Sequence, residues 1–356
     1  MAETWRNANY QKRVEIAVQA AFIDGNLTDF PALVLLTTTS LSGGNGIASA
    51  DLASKRYQLY ETGNATPLKY EEEVYDDDDG GSGKATFSTW VKVSDLYAAP
   101  AGDQNKVWLY YGTYDPGSDQ DDPPSVWDAN FLAVYHFAGN VNDSTSNGYT
   151  ATDSGTDDIA GKIGRARDFD GTDKIGTPTL AAANTPPYTI SAWVRSDSAT
   201  PSTPTRWVVT DGATEILLLT TPGDFGFYVG GSGQTDGAVT TDLWAHMALS
   251  ANTGGTTAYG YVNGTPGAAF GSAHTAAAHS FNIGNRGAMD RGWYGQIDEL
   301  RFNSSIRSAA WIKFEHANVA QADNELTWGS EEAAPAAAAG GIFVPAFADS
   351  LASAWR

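Results

Sequence analysis

The chain has 356 residues, enough for two domains of ordinary size that each bury a core without covalent staples. Its 42% hydrophobic and 12% aromatic content is that of a globular protein, and the absence of cysteine excludes disulfides and thiolate metal sites. A formal charge of -21 repels phosphate backbones, which argues against nucleic acid and anionic membranes as partners, and no stretch approaches the roughly 20 apolar residues of a membrane span.

The opening Met1-Ala-Glu-Thr-Trp-Arg is polar and lacks the apolar core of a signal peptide. Val14, Ile16 and Val18 then alternate with Glu15, Ala17 and Gln19, the period of a half-buried strand. Asp24-Gly25 marks a turn, and strands are predicted over 33–36, 55–60, 86–93 and 107–111. Between them, Tyr70-Glu-Glu-Glu-Val-Tyr-Asp-Asp-Asp-Asp79 runs into Gly80-Gly-Ser-Gly83. The consecutive aspartates repel one another and read as a solvated loop; they lack the alternate ligand spacing of a calcium loop. The acidic, proline-rich stretch 118–126 follows as a connector, so the first domain is expected over 1–117.

Strands are next predicted over 131–137, 188–195, 207–210, 215–219, 225–229, 244–249, 257–262, 281–284 and 296–302. Asn263-Gly264 is a strong hairpin signal. Only 308–318 has a helical pattern, with Ser308 as its cap and Trp311, Ile312 and Phe314 as an apolar side. Strands throughout with one late short helix predict an all-β protein: two β-sandwiches in series, the second a jelly roll over 127–330. An Ala/Gly linker at 331–341 leads to an apolar tail at 342–356. Pro345 blocks a helix through Val344, and beyond it Phe347, Leu351 and Trp355 fall four apart on one helical stripe. With Ile342 and Phe343, these residues are expected to dock on another chain, as an oligomerisation segment or as the attachment to a virion or surface layer.

Several motifs together carry a family resemblance. Phe131-Leu-Ala-Val-Tyr-His-Phe137, Asp143-Ser-Thr-Ser-Asn-Gly148 and Gly161-Lys-Ile-Gly-Arg-Ala-Arg-Asp-Phe-Asp-Gly171 resemble the opening of a laminin-G-like, concanavalin-A-type jelly roll. Thr189-Ile-Ser-Ala-Trp-Val194, Trp244-Ala-His-Met-Ala248, Tyr261-Val-Asn-Gly264 and Gly295-Gln-Ile-Asp-Glu-Leu-Arg-Phe302 continue the pattern in the same order. In the first domain, Phe30-Pro-Ala-Leu-Val34, Pro67-Leu-Lys-Tyr-Glu71, Thr89-Trp-Val-Lys-Val93 and Val107-Trp-Leu-Tyr-Tyr-Gly112 resemble a functionally uncharacterised β-sandwich domain. That domain often precedes such jelly rolls in bacterial surface, archaeal surface and phage proteins.

The oxygen-rich turn Asp143-Ser-Thr-Ser-Asn-Gly148 offers carboxylate, amide and backbone oxygens of the kind Ca2+ prefers. The resemblance implies a calcium site built from Asp143, Asn147 and Asp298; a plain Asx-turn, with Asp298 paired to an arginine, is the alternative. Jelly-roll glucanases carry Glu-x-Asp-x-x-Glu or Glu-x-Asp-x-Glu on one strand. Here Gln296 stands at the first position and Asp298 and Glu299 are adjacent, so alternation sends them to opposite faces and disfavours a glycoside hydrolase. No nucleophile elbow, zincin motif or phosphate loop is present, so no catalytic residue is assigned. His136 and His246 lie within predicted strands and read as packed, as do Trp193 and Trp244. Trp293, Tyr294, Tyr149, Trp207 and Tyr228 are candidate platforms for stacking on a sugar.

These features predict a non-catalytic carbohydrate-binding or adhesion protein, with a cell-surface glycan or polysaccharide as partner. A purely structural spacer without sugar binding is the alternative. Surface-type domains without a signal peptide point to a virion, with a trimmed extracellular protein as the other expectation.

Overall fold

A computed structural model describes residues 5–117, 120–181, 187–197, 205–211, 223–229, 232–252, 257–271 and 279–335, together with the backbone of 215–220. The tail residues Ile342, Phe343, Val344, Phe347, Leu351 and Trp355 lie outside the described residues.

The alternation at the start of the chain does what its period implies. In the strand Lys12–Val18, Val14, Ile16 and Val18 are buried. On the opposite face the Arg13 guanidinium lies 4.2 Å from the centroid of the Trp108 ring and pairs with Glu332 at 2.8 Å. One antiparallel sheet runs Tyr57–Glu61, Lys106–Tyr111, Lys12–Val18 and Leu326–Trp328, with Glu332–Ala333 pairing further along Lys12–Val18. The facing sheet sets Thr86–Leu96 between Leu27–Leu36 and Tyr70–Asp76. Thus the chain returns to the first sandwich at its far end: Leu326 and Trp328 pair opposite Val18 and Ile16. The span 127–330 expected for the jelly roll therefore ends inside the other domain's sheet.

The second sandwich joins an eight-stranded to a seven-stranded sheet. In the first of these, the strand Tyr294–Asn303 pairs with Tyr188–Ser196 on one side. On its other side it pairs with Arg165–Asp170 near its start and Phe131–Tyr135 near its end. Ile190, Val194, Met247, Phe225, Phe281 and Phe302 pack between the two sheets.

The predicted helix forms over Ala309–Ala320, with Ser308 Oγ accepting from the Trp311 amide at 3.1 Å. It is covered on both sides. Trp311 and Phe314 pack on Phe30, with ring centroids 4.8 and 4.9 Å apart, while Ile312 packs with Ala248 and Tyr261. Asn318 reaches back to the strand Leu27–Leu36: its Oδ1 accepts from the Leu33 amide at 2.6 Å and its Nδ2 donates to the Leu33 carbonyl at 3.0 Å. One hydrophobic cluster accordingly runs from Leu33 and Trp90 through Trp127, Phe131 and Trp193. The connector is also tied down, because Tyr70 donates to the Gln120 carbonyl and accepts from the Asp122 amide. Among the described residues no helix is long and apolar enough to cross a membrane.

Candidate functional site

Where the two sandwiches meet, a group of ionisable side chains is sealed from water. Glu71 and Glu73 sit at alternate positions of the strand Tyr70–Asp76. The Glu73 backbone runs at a sheet edge, but its side chain is only 1% exposed. His136 follows the strand Phe131–Tyr135, while Glu299 and Arg301 come from Tyr294–Asn303; all three are buried. His136 Nδ1 is 2.6 Å from Glu299 Oε1 and 3.8 Å from Glu73 Oε2, and its Nε2 is 3.1 Å from Glu71 Oε2. Arg301 donates to Glu299 Oε2 at 2.7 Å and to Glu315 Oε1 at 3.1 Å. Its guanidinium lies 4.5 Å from the Trp90 ring centroid and 5.1 Å from that of Trp127. Trp90 Nε1 donates to Glu73 Oε2, whereas Glu73 Oε1 is buried without a partner. The donor atoms of Glu73, His136 and Glu299 all lie within 4.8 Å of one another. A cavity of about 430 Å³ adjoins them, lined in part by Glu71, Glu73, His136, Asn142 and Ser144.

Burial of so many carboxylates has electrostatic consequences. Burial, reinforced by the Glu299 charge, pushes the Glu73 carboxyl up to about 8. Burial, then Glu299 and Glu73, holds Asp298 well above the usual carboxylate range. For His136 burial favours the neutral ring, but Glu299 and Glu71 outweigh it and raise the imidazole well above its ordinary value. Glu299 and Glu315 go the other way. Burial opposes their charge, yet His136 and Arg301 lower Glu299, and a hydrogen bond from His246 to Glu315, together with the Arg301 charge, brings Glu315 to about 2. His136 and His246 are buried as expected, but each faces a glutamate rather than an apolar wall.

The expected calcium ligands are each bonded within the protein. Asp143 Oδ1 accepts from the Val134 and Thr145 amides, and its Oδ2 accepts from Thr145 Oγ1 and the Tyr149 amide. Asn147 Nδ2 donates to the Phe131 and Leu132 carbonyls. Asp298 Oδ2 accepts from the Lys162 and Ile163 amides at 2.8 and 3.1 Å, with no arginine on it. Val134 pairs with Arg301, three residues beyond Asp298, and the two carboxylates brace different loops, Asp143 its own turn and Asp298 the turn at 162–163. Both spend their oxygens on protein donors, as an Asx-turn does.

The five candidate sugar platforms divide by exposure. Trp293 and Trp207 are buried, at 0% and 3% exposure, and Trp293 packs in the core between the two sheets. Tyr149 and Tyr228 are half-buried, and the Tyr149 carbonyl accepts from the Tyr135 hydroxyl. Tyr294 is 41% exposed, with the Arg206 guanidinium 4.2 Å from its ring centroid and the exposed Asp170 opposite it in the ladder. The glucanase-like positions are occupied by structural bonds. Gln296 Nε2 donates to Asp168 at 2.8 Å and its Oε1 accepts from Arg195 at 2.6 Å. Simple alternation does not hold at Asp298 and Glu299. Glu299 adopts φ 51° where the pairing with Ser191 and Trp193 shifts register, and this bulge leaves both carboxylates buried.

Residues 169–313 match the model of the Concanavalin A-like lectin/glucanases superfamily. Over those residues the second sandwich is concanavalin A-like. No curated protein matches the sequence. Among solved structures, domain 4 of AbnA, a GH43 extracellular arabinanase from Geobacillus stearothermophilus, in complex with arabinotriose, is 21% identical. The match covers 53% of this chain and 98% of that one, with a TM-score of 0.42. The binding domain of Paraclostridial Mosquitocidal Protein 1 is 11% identical over 52% of each chain, with a TM-score of 0.43. The receptor binding domain of botulinum neurotoxin mosaic serotype C/D is 14% identical over 52% of this chain and 50% of that one, with a TM-score of 0.41. This chain spans about half the length of the two toxin domains.

The concanavalin A-like domain supplies His136, Glu299 and Arg301 to the junction, and the first sandwich supplies Glu71 and Glu73. The glutamates of the first sandwich escaped the sequence reading because they open an acidic run that continues into a solvated loop. Their alternate spacing was only a partial signal, because the pairing with Thr86–Leu96 shifts register between Glu72 and Val74, and it is the fold that sets Glu73 against the indole of Trp90.

Proposed function

We propose that this protein is a non-catalytic carbohydrate-binding or adhesion protein displayed on an extracellular or virion surface, with a glycan as its partner. The observation that carries the reading is Tyr294: a 41% exposed side chain in a concanavalin A-like domain, with the Arg206 guanidinium over one side of its ring and the Asp170 carboxylate across the ladder. An aromatic face takes the C–H side of a sugar while neighbouring carboxylate and hydroxyl groups take its hydroxyls. Thr172, whose hydroxyl donates to Asp170, extends the polar rim. The absence of hydrolysis is supported by Gln296 at the first glucanase position and by the burial of Asp298 and Glu299 in structural bonds.

The shared core between the sandwiches favours a second reading, a rigid spacer within a virion or surface layer that binds no sugar. A glycan array followed by titration decides between them. Binding should be saturable and competed by free sugar, and Tyr294→Ala should weaken it about 10-fold, the loss of one stacking contact. No saturable binding on a broad array would leave the spacer. Binding untouched by Tyr294→Ala would move the site elsewhere. Turnover of any bound polysaccharide would overturn the non-catalytic reading.

A further inference from the structure

We propose that Glu73, His136 and Glu299 bind one divalent transition-metal ion of the zinc type, and that this ion ties the two sandwiches together at their junction. The donor set is one imidazole nitrogen and two carboxylates, which suits zinc and its neighbours and does not suit calcium, an ion that prefers six or more oxygens. The spacing is also right. Metal bonds of 2.0–2.2 Å at a tetrahedral angle put donor atoms about 3.3 Å apart. His136 Nδ1 is 2.6 Å from Glu299 Oε1 and 3.8 Å from Glu73 Oε2, and the three donors lie within 4.8 Å of one another, so a small side-chain adjustment that turns Glu73 Oε1 to the ion and leaves Oε2 with Trp90 closes the site. Entry of the ion displaces the proton now shared between His136 and Glu299, and a small side-chain rotation opens their contact.

An independent observation points to a ligand. Glu73 Oε1 is a buried acceptor with no partner, on a side chain 1% exposed, and buried polar atoms are rarely left so. A metal ion gives it one. The surroundings are those of a metal site's outer shell. His136 Nε2 lies 3.1 Å from Glu71 Oε2, so a carboxylate backs the ring on the side away from Nδ1. Arg301 holds Glu299 Oε2 and Trp90 holds Glu73 Oε2, fixing both carboxylates. The cavity of about 430 Å³, lined by Glu73 and His136, supplies an entry path and room for a water as fourth ligand. Because Glu73 belongs to the first sandwich and His136 and Glu299 to the second, the ion cross-links positions 73, 136 and 299 across the junction.

The test uses the full chain, stripped with chelator and titrated with ZnCl2 by calorimetry, with melting followed in zinc, in calcium and in chelator. We expect one zinc per chain, a melting midpoint raised by zinc and not by calcium, and visible d–d absorption from bound Co2+. Glu73→Gln should weaken zinc binding by at least about 10-fold, since even outer-shell losses cost that much. Its midpoint in chelator should equal or exceed that of wild type, which shows that it folds. Wild type that takes up no zinc, or a folded Glu73→Gln that binds zinc as wild type does, overturns the site. Should Glu73→Gln not fold, Co2+ added to wild type must perturb the His136 ring resonances in NMR; a perturbation confined to other histidines overturns it equally. Tyr294 lies outside this cluster, so glycan binding and metal binding can each fail alone.

Discussion

Glu73→Gln in metal-free protein should flatten the dependence of stability on pH. The folded protein holds the Glu73 proton up to about 8, against 4.5 for an ordinary glutamate. Between those values the folded state carries more protons than the unfolded chain, so stability falls as pH rises. The contribution is fully present below 4.5 and is lost as pH passes through about 8. At 1.36 kcal/mol per pKa unit the loss is about 4–5 kcal/mol. Asp298 and His136 are raised as well, and their contributions fall in the same direction. Glu299 and Glu315 have the opposite sign: their depressed values stabilise the fold above the ordinary carboxylate range, and that stability is lost on acidification, for Glu315 down to about 2. Wild type should therefore be most stable at mildly acidic pH. Glutamine keeps the size of the protonated carboxyl and an oxygen for Trp90 Nε1, but it cannot ionise. Urea unfolding in chelator should find the variant close to wild type near pH 5 and more stable by up to about 4–5 kcal/mol near pH 9. A difference between the two proteins that is the same at both ends would refute the reasoning, since Glu73 would then hold one charge state throughout.

Three further outcomes follow from the contacts. Asn318→Ala strips both partners from the Leu33 peptide groups inside the junction and should cost about 2–4 kcal/mol by chemical unfolding; a cost below about 0.5 kcal/mol would mean that water replaces the amide. Asp143→Ala removes the acceptor for Val134, Thr145 and Tyr149 and should cost about 2–3 kcal/mol, equally in calcium and in chelator. A calcium-dependent rise in the wild-type midpoint that this substitution abolishes would instead establish calcium at the loop. Deleting 341–356 should abolish assembly or attachment, read by light scattering, with the melting of the sandwiches unchanged; a truncated chain that assembles normally refutes the docking role.

What was legible in the sequence was what local physics determines. Val14, Ile16 and Val18 declare a strand by period, and Ser308 declares a helix start by its side-chain oxygen, with no help from distant residues. The exposure of aromatics is a different matter. Trp293 and Tyr294 are neighbours with the same composition around them, yet one is in the core and the other faces water, because the start of a strand decides which face each takes. The bulge at Glu299 is likewise set by the pairing of Tyr188–Ser196 with Tyr294–Asn303, and a glutamate at φ 51° has no mark in sequence.

The junction itself left no such mark. Trp311 and Phe314 lie on one side of the helix Ala309–Ala320 and Ile312 on another, so no single sheet could cover them all. An apolar helix of this kind must be enclosed by two layers. Read as one apolar side, the three residues did not announce that the first sandwich closes over Trp311 and Phe314 with Phe30 while Ile312 faces the second. The same closure brings the strand Tyr70–Asp76 against His136 and Glu299. Packing of an apolar helix between two sandwiches is therefore what assembles the charged cluster, and any substitution that loosens Trp311 or Phe314 should disturb Glu73 before it disturbs either sandwich alone.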